Sequence, residues 1–281
     1  MSAERLSEIL QRLNIQHGTG KEMTPEEYEQ QRCDWANDTA GSLNEYDGYN
    51  CDVCKNKGVV YALQENPYSK TQVMVQRPCK CSSIRATLRR AKASGLNNIL
   101  TDYTFDKYEA TEDWQKAIKE KAQTFCKDDH ARWFYIGGQT GAGKTHICTA
   151  ISAYYIKSGL DCRYMLWRDD AVKLKAVVND FEKYQELIEP FKSVDVLYID
   201  DYLKVQDGAE PTTADINLAF ELLNYRLLDK SKITIISSEF TMARALELDE
   251  ATNGRIYQQA GNYKINIDRD FNKNYRLKHN V

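Results

Sequence analysis

The chain has 281 residues, 42% hydrophobic and 28% charged, a balance that excludes both a membrane-embedded protein and a wholly disordered one. No apolar run approaches the roughly eighteen residues of a membrane helix, and the opening MSAERLSEILQRLNIQ is charged and helical in period rather than a signal peptide, which predicts a soluble, cytoplasmic protein. The net charge of −3 is unevenly spread: residues 1–50 hold ten acidic against four basic side chains, and residues 77–92 hold six basic and no acidic ones. Two different partners are expected for two such stretches.

In chain order, Leu6, Ile9, Leu10 and Leu13 recur at helical spacing and predict a short amphipathic helix. Thr24-Pro25-Glu26-Glu27 is a capping box with proline just inside a second helix, and the polar stretch from Asn37 to Asn50 is expected to be a linker. Residues 1–50 are thus expected to form a helical, partner-binding segment with its linker.

Four of the eight cysteines, Cys51, Cys54, Cys79 and Cys81, are clustered, and GVVYAL and TQVMVQ between the pairs predict a hairpin around NPYSK. Two thiolate pairs brought together by a hairpin make a tetrahedral sulfur set suited to structural zinc, while iron–sulfur ligation is disfavoured by the C-x-C spacing of the second pair. Metal binding would supply the folding energy that so small a unit cannot draw from a core. The other four cysteines (Cys33, Cys126, Cys148, Cys162) are expected to be small buried hydrophobes. A basic helix, roughly Ser82–Ala93, follows and ends at Gly95. It places Arg85, Arg89 and Lys92 on one face as a stripe able to follow a phosphate backbone. Residues 51–95 therefore read as a zinc-binding unit with a basic helix.

From Leu96 the pattern becomes a βαβ series: WFYIGG, a helix from Lys144, CRYMLW, a helix across 169–188, DVLYID, a helix across 213–228, KITIIS and YKINI. Such a series predicts a parallel sheet covered by helices on both faces, and residues 96–281 are expected to form this domain. Gly138-Gln139-Thr140-Gly141-Ala142-Gly143-Lys144-Thr145, followed by His146, is a phosphate-binding loop between strand and helix. Its backbone N–H groups would cradle phosphate oxygens, Lys144 would reach the β- and γ-phosphates of ATP, and Thr145 would help hold Mg²⁺. Val196-Leu-Tyr-Ile199-Asp200-Asp201 supplies the acidic half of the site, Asp200 for Mg²⁺ and Asp201 as the base that polarises the attacking water. Asp201 is shorter than the Glu found in many such ATPases, which predicts slow turnover. The extra strand CRYMLW and the polar end of KITIISSEF match the additional-strand layout of the AAA+ class.

The segments GGQTGAGKTH, VLYIDDYLK, LLNYRLLDK, TIISSEFT, GRIYQQAGNY and NYRLK together resemble replicative helicase loaders of the DnaC/DnaI type and the related IstB transposition ATPases. The resemblance covers about residues 96–281, and the four-cysteine unit with its basic helix resembles the zinc-bearing forms. It implies an α/β AAA+ three-layer domain behind a small zinc unit and a short helical segment. It also implies an ATPase that loads a replicative DNA helicase onto single-stranded DNA, forming homo-oligomers on ATP binding; the alternative is a transposition helper using ATP as an assembly switch. By resemblance, Arg255 is an arginine finger reaching a neighbouring subunit's γ-phosphate, Ser237-Ser238-Glu239 is the first-sensor segment with Ser238 and Glu239 its candidate residues, and Arg276 is the second sensor. Glu239 stands where the family commonly has Asn, and the short stretch after Ile267 leaves no room for a helical lid domain. Arg226 also recurs in the family, without a role that its chemistry alone assigns.

Overall fold

A computed structural model describes residues 23–93, 102–205 and 209–278. The Leu6–Leu13 helix expected from the sequence lies outside these residues, as does the Gly95 helix stop. Among the described residues no helix is long and apolar enough to cross a membrane.

The chain divides into a smaller unit, residues 1–42 with 52–79, and a larger one, residues 43–51 with 80–281. These do not coincide with the three stretches expected from the sequence, because residues 43–51 and the basic helix group with the larger unit.

In the smaller unit, helix α1 (Pro25–Asp38) starts with the capping box as expected, Thr24 Oγ1 accepting from Glu27 N–H and Glu27 Oε2 from Thr24 N–H. Strands β1 (Val59–Glu65) and β2 (Gln72–Pro78) pair antiparallel, with Val59 opposite Pro78 and Glu65 opposite Gln72. The Asn37 side chain fastens the helix to the hairpin, donating to Tyr61 O at 2.8 Å and accepting from Tyr61 N–H at 2.9 Å. Neither strand contains a fully buried residue.

In the larger unit, the stretch expected as linker contains a short helix, α2 (Leu43–Asp47), and the basic helix is α3 (Cys81–Ala93). Helix α4 (Asp113–Lys127) leads into the βαβ series: β3 (Trp133–Gly138), α5 (Lys144–Lys157) and β4 (Cys162–Leu166). The single helix expected across 169–188 is two, α6 (Trp167–Ala176) and α7 (Phe181–Ser193). Asp180 interrupts it by accepting from Lys183 N–H, a local bond that starts a new helix. Then come β5 (Val196–Asp200), α8 (Thr213–Leu228), β6 (Ile233–Ser238), α9 (Met242–Leu248), α10 (Glu250–Ala260), β7 (Lys264–Ile267) and the short α11 (Tyr275–Lys278).

The five strands of the sheet lie in the order β4-β5-β6-β3-β7, and every pairing is parallel. Side chains alternate along the central strands, so the sheet faces two cores. Phe134, Ile136, Tyr198 and Ile235 pack with α3, α4 and α5, while Trp133, Tyr135, Leu197 and Ile199 pack with α6, α7, α8 and α10. Strands β3, β5 and β6 are buried along their whole length, which is why they read as near-continuous apolar runs.

The buried Arg226 fixes the opposite end of this sheet from the phosphate loop. Its guanidinium donates to the carbonyls of Phe191, Lys192, Val194, Asp195 and Ile233, and its Nε to Thr234 Oγ1. It ties the end of α7 to the starts of β5 and β6, a structural role that its recurrence alone did not reveal. Burial lowers its pKa to about 10.

Candidate nucleotide site and four-cysteine cluster

In an open parallel sheet the ligand crevice lies beyond the carboxyl ends of the strands. There β3 delivers the phosphate loop, β5 the aspartates and β6 Glu239, around a cavity of about 510 Å³. Gly138 has φ +109°, and a Cβ there would stand 2.1 Å from Ile267 O, so only glycine permits β3 to turn away from β7. Gln139 N–H donates to the same Ile267 carbonyl at 2.9 Å. Gly143, at φ +80°, opens α5 and leaves the N-terminal N–H groups of that helix facing the cavity.

Lys144 Nζ donates to Gly138 O at 2.9 Å and Gln139 O at 2.8 Å. Burial lowers its pKa, opposed by Glu239, Asp201 and Asp200. Thr145 Oγ1 lies 3.3 Å from Asp200 Oδ1, so hydroxyl and carboxylate converge as a Mg²⁺ site requires. Asp200 is steadied by Tyr164, whose hydroxyl donates to Oδ2 at 3.1 Å, and by Ser237 Oγ on Oδ1. Burial and then the adjacent Asp200 raise the Asp201 carboxyl above its usual range, against the pull of Lys204, and so increase its basicity.

Asp201 and Leu203 both sit at positive φ, 54° and 61°. The fully buried Tyr202 and Leu203 hold this strained turn. It brings Lys204 Nζ to 3.2 Å from Asp201 Oδ2 and 2.9 Å from Glu239 Oε1, and Glu239 Oε1 also accepts from Thr140 Oγ1 at 3.2 Å. Burial raises the Glu239 pKa, but Lys204 and Thr140 outweigh it and hold the carboxyl below its usual range.

His146 lines the cavity with Tyr103 and Tyr108, its ring 5.3 Å from each in edge-on contact, and its Nε2 lies 2.9 Å from Thr104 O. The Tyr108 hydroxyl is buried with no protein partner among the described residues, an orphaned polar group that fits a ligand in the cavity. The segment after β7 roofs the loop: Tyr275 N–H donates to Gly141 O at 2.9 Å and the Tyr275 hydroxyl to Glu109 Oε2 at 2.9 Å. A Cβ on Gly141, whose φ is +76°, would stand 2.0 Å from Asn274 Oδ1. Arg276 lines the same cavity as the phosphate loop.

Two sequence expectations need correction. Ser238 does not line the cavity; it is fully buried, donates to Tyr202 O at 2.9 Å and accepts from Phe240 N–H at 3.1 Å. The two-residue period of a strand turns Ser237, not Ser238, toward Asp200. Arg85 is no part of an exposed stripe: it is 1% exposed, with Nη1 at 2.6 and 2.7 Å from the two Asp47 carboxylate oxygens. Arg89 is exposed, and the Lys92 side chain lies outside the described residues. Tyr164 and Lys204 were missed, and Ser237 was placed in the first-sensor segment without a role of its own. Only Lys204 left a trace in the sequence, a lone cation three residues beyond Asp201.

Arg255 does not line the cavity. Its guanidinium carbon lies 4.9 Å from the centre of the Phe220 ring, and its Nη1 is buried with no hydrogen-bond partner among the described residues.

The sulfurs of Cys51, Cys54, Cys79 and Cys81 all lie within 4.8 Å of one another, and all four residues are buried. Gly58 N–H donates to Cys54 Sγ at 3.2 Å, which stabilises a thiolate. Four buried sulfurs at this spacing fit tetrahedral zinc and leave no position open for catalysis.

The pattern defining the IstB-like ATP binding protein family matches residues 74–260. The chain is 30% identical over 218 residues to the uncharacterized protein YqaM of Bacillus subtilis, covering 72% of this chain and 66% of YqaM. It is 28% identical over 242 residues to the phage-like element PBSX protein XkdC of the same organism, covering 82% of this chain and 87% of XkdC. Over 112 residues it is 25% identical to the replicative helicase loader DnaC of Buchnera aphidicola, covering 38% of this chain and 46% of that protein.

Proposed function

The chain belongs to the IstB-like ATP-binding family, with the AAA+ fold and residue set of an ATPase, and from that premise we propose that it is an ATP-driven loader of a replicative DNA helicase onto single-stranded DNA. The observation that carries the ATPase half is the meeting of Lys144, Thr145, Asp200, Asp201 and Arg276 around one cavity. Lys144 leaves its two carbonyls for the β- and γ-phosphates, and Thr145 with Asp200 would hold Mg²⁺, which would supply charge withdrawal from the phosphates. Asp201 accepts the proton of the attacking water.

Arg255 completes the site of a neighbouring copy. A guanidinium outside its own chain's cavity suits a γ-phosphate presented across a subunit boundary. Similarity to the replicative helicase loader DnaC supports a replicative helicase as partner. The four cysteines hold one zinc. The match to the IstB-like ATP binding family supports a second reading, the transposition-helper assembly switch offered by the sequence resemblance.

The deciding experiment presents the full chain with ATP to a hexameric replicative helicase and a closed single-stranded circle. ATP-dependent transfer of helicase onto the circle is expected. Capture of a transposase with no helicase association would favour the second reading.

A further inference from the structure

Glu239 is a carboxylate at the end of β6, where a nucleotide's terminal phosphate must be approached. It cannot donate a hydrogen bond to phosphate, and a bare carboxylate there repels one. In the structure it is not bare: Lys204 Nζ sits 2.9 Å from Glu239 Oε1 and 3.2 Å from Asp201 Oδ2. Thr140 Oγ1 of the phosphate loop donates to the same Glu239 oxygen at 3.2 Å. One ammonium thus joins the ends of β5 and β6, and Glu239 extends the link to the phosphate loop, all inside the cavity. Lys144 is held by carbonyls on the other side of the loop.

We propose that Lys204 is the residue by which this chain distinguishes ATP from ADP: it restrains Asp201 and Glu239 in the nucleotide-free state and shifts to the γ-phosphate when ATP enters. The proposal deepens the reading of the cavity as an ATP site and rests on it. An ammonium with three donors exchanges one anionic partner for another at little cost, whereas a neutral side chain could not screen two carboxylates beforehand. Its departure frees Asp201 for the attacking water only when a γ-phosphate is present. ADP, lacking that phosphate, leaves the triad closed. The backbone that carries Lys204 is fixed by buried Tyr202 and Leu203, so the response is confined to a flexible side chain.

The test measures equilibrium affinity of the full chain for ADP and for a non-hydrolysable ATP analogue, both with Mg²⁺. Lys204→Met should weaken the analogue about tenfold, the worth of one charge-assisted hydrogen bond, and leave ADP affinity essentially unchanged. Lys204→Arg should keep most of the discrimination. Glu239→Gln should tighten analogue binding by releasing Lys204, and the gain should vanish in the Lys204→Met, Glu239→Gln double variant. Equal losses for both nucleotides, or no loss for either, would overturn the assignment. If the parent chain bound neither nucleotide, the reading of the cavity itself would fall instead.

Discussion

The nucleotide cavity and the four-cysteine hairpin hold their functional atoms in place by opposite means. Around the cavity, the phosphate loop, the aspartates and Glu239 stand at the ends of strands buried along their whole length, and Asp200 is oriented by Tyr164, Thr145 and Ser237. In the hairpin unit both strands are only partly buried, and its buried side chains among the described residues are Cys33, Ala36, Cys54 and Cys79. One site is positioned by a core that exists without ligand. The other has cysteine sulfur in place of a core, so its order depends on what those sulfurs bind.

The largest effect should come from taking the metal away. Elemental analysis should find one zinc per chain, and strong chelation or Cys79→Ser should melt the hairpin, since structural zinc contributes on the order of 10 kcal/mol to such units. ATP binding should survive. Iron in the purified chain, or a hairpin that keeps its amide protection without metal, would erase the contrast between the two regions.

Next come the cavity's own groups, which should fail in chemistry without failing in fold. Lys144→Ala should abolish measurable nucleotide binding with the melting temperature unchanged. Asp201→Asn should keep ATP bound and slow hydrolysis roughly a hundredfold or more, the usual worth of a general base. Parent-rate turnover by the Asn variant would remove Asp201 from that role.

Arg226→Met should act on fold alone, costing about 3 kcal/mol or more in urea unfolding because six hydrogen-bond acceptors lose their donor at once. Lysine, with three donors in place of a planar fork, should rescue little.

The smallest effects separate two arginines one helical turn apart on α3. Arg85→Ala breaks a buried ion pair with Asp47 and should cost stability, about 3 kcal/mol by the usual penalty for an orphaned buried charge. Arg89→Ala should leave stability within about 0.5 kcal/mol. If the exposed face of α3 meets nucleic acid, Arg89→Ala also lowers the salt slope of binding by about one counterion.

The sequence made the chemistry-bearing ends of strands plain, because a phosphate loop and an acidic pair have fixed spacing around fixed geometry. The four-cysteine cluster was legible for the same reason. What spacing could not show was which polar residue of a pair faces inward: Ser237 and Ser238 look alike until the register of β6 against β5 is known. Nor could it show that Arg85 has Asp47, thirty-eight positions earlier, as its partner. A basic stripe drawn on a helical wheel assumes solvent on that face, and tertiary packing supplied a carboxylate instead. Tyr275 was unreadable as a cavity residue because its approach depends on how the chain leaves β7, and Arg276 was placed at the site by resemblance alone.

That exit has a consequence for the order in which the site matures during synthesis. Gln139 N–H has its acceptor on Ile267, and Gly141 O has its donor on Tyr275. A nascent chain that has emerged only through α10 contains every phosphate-loop residue but lacks two of the backbone groups that hydrogen-bond the loop. Capture of nucleotide by the growing chain should therefore strengthen once β7 and Tyr275 have emerged.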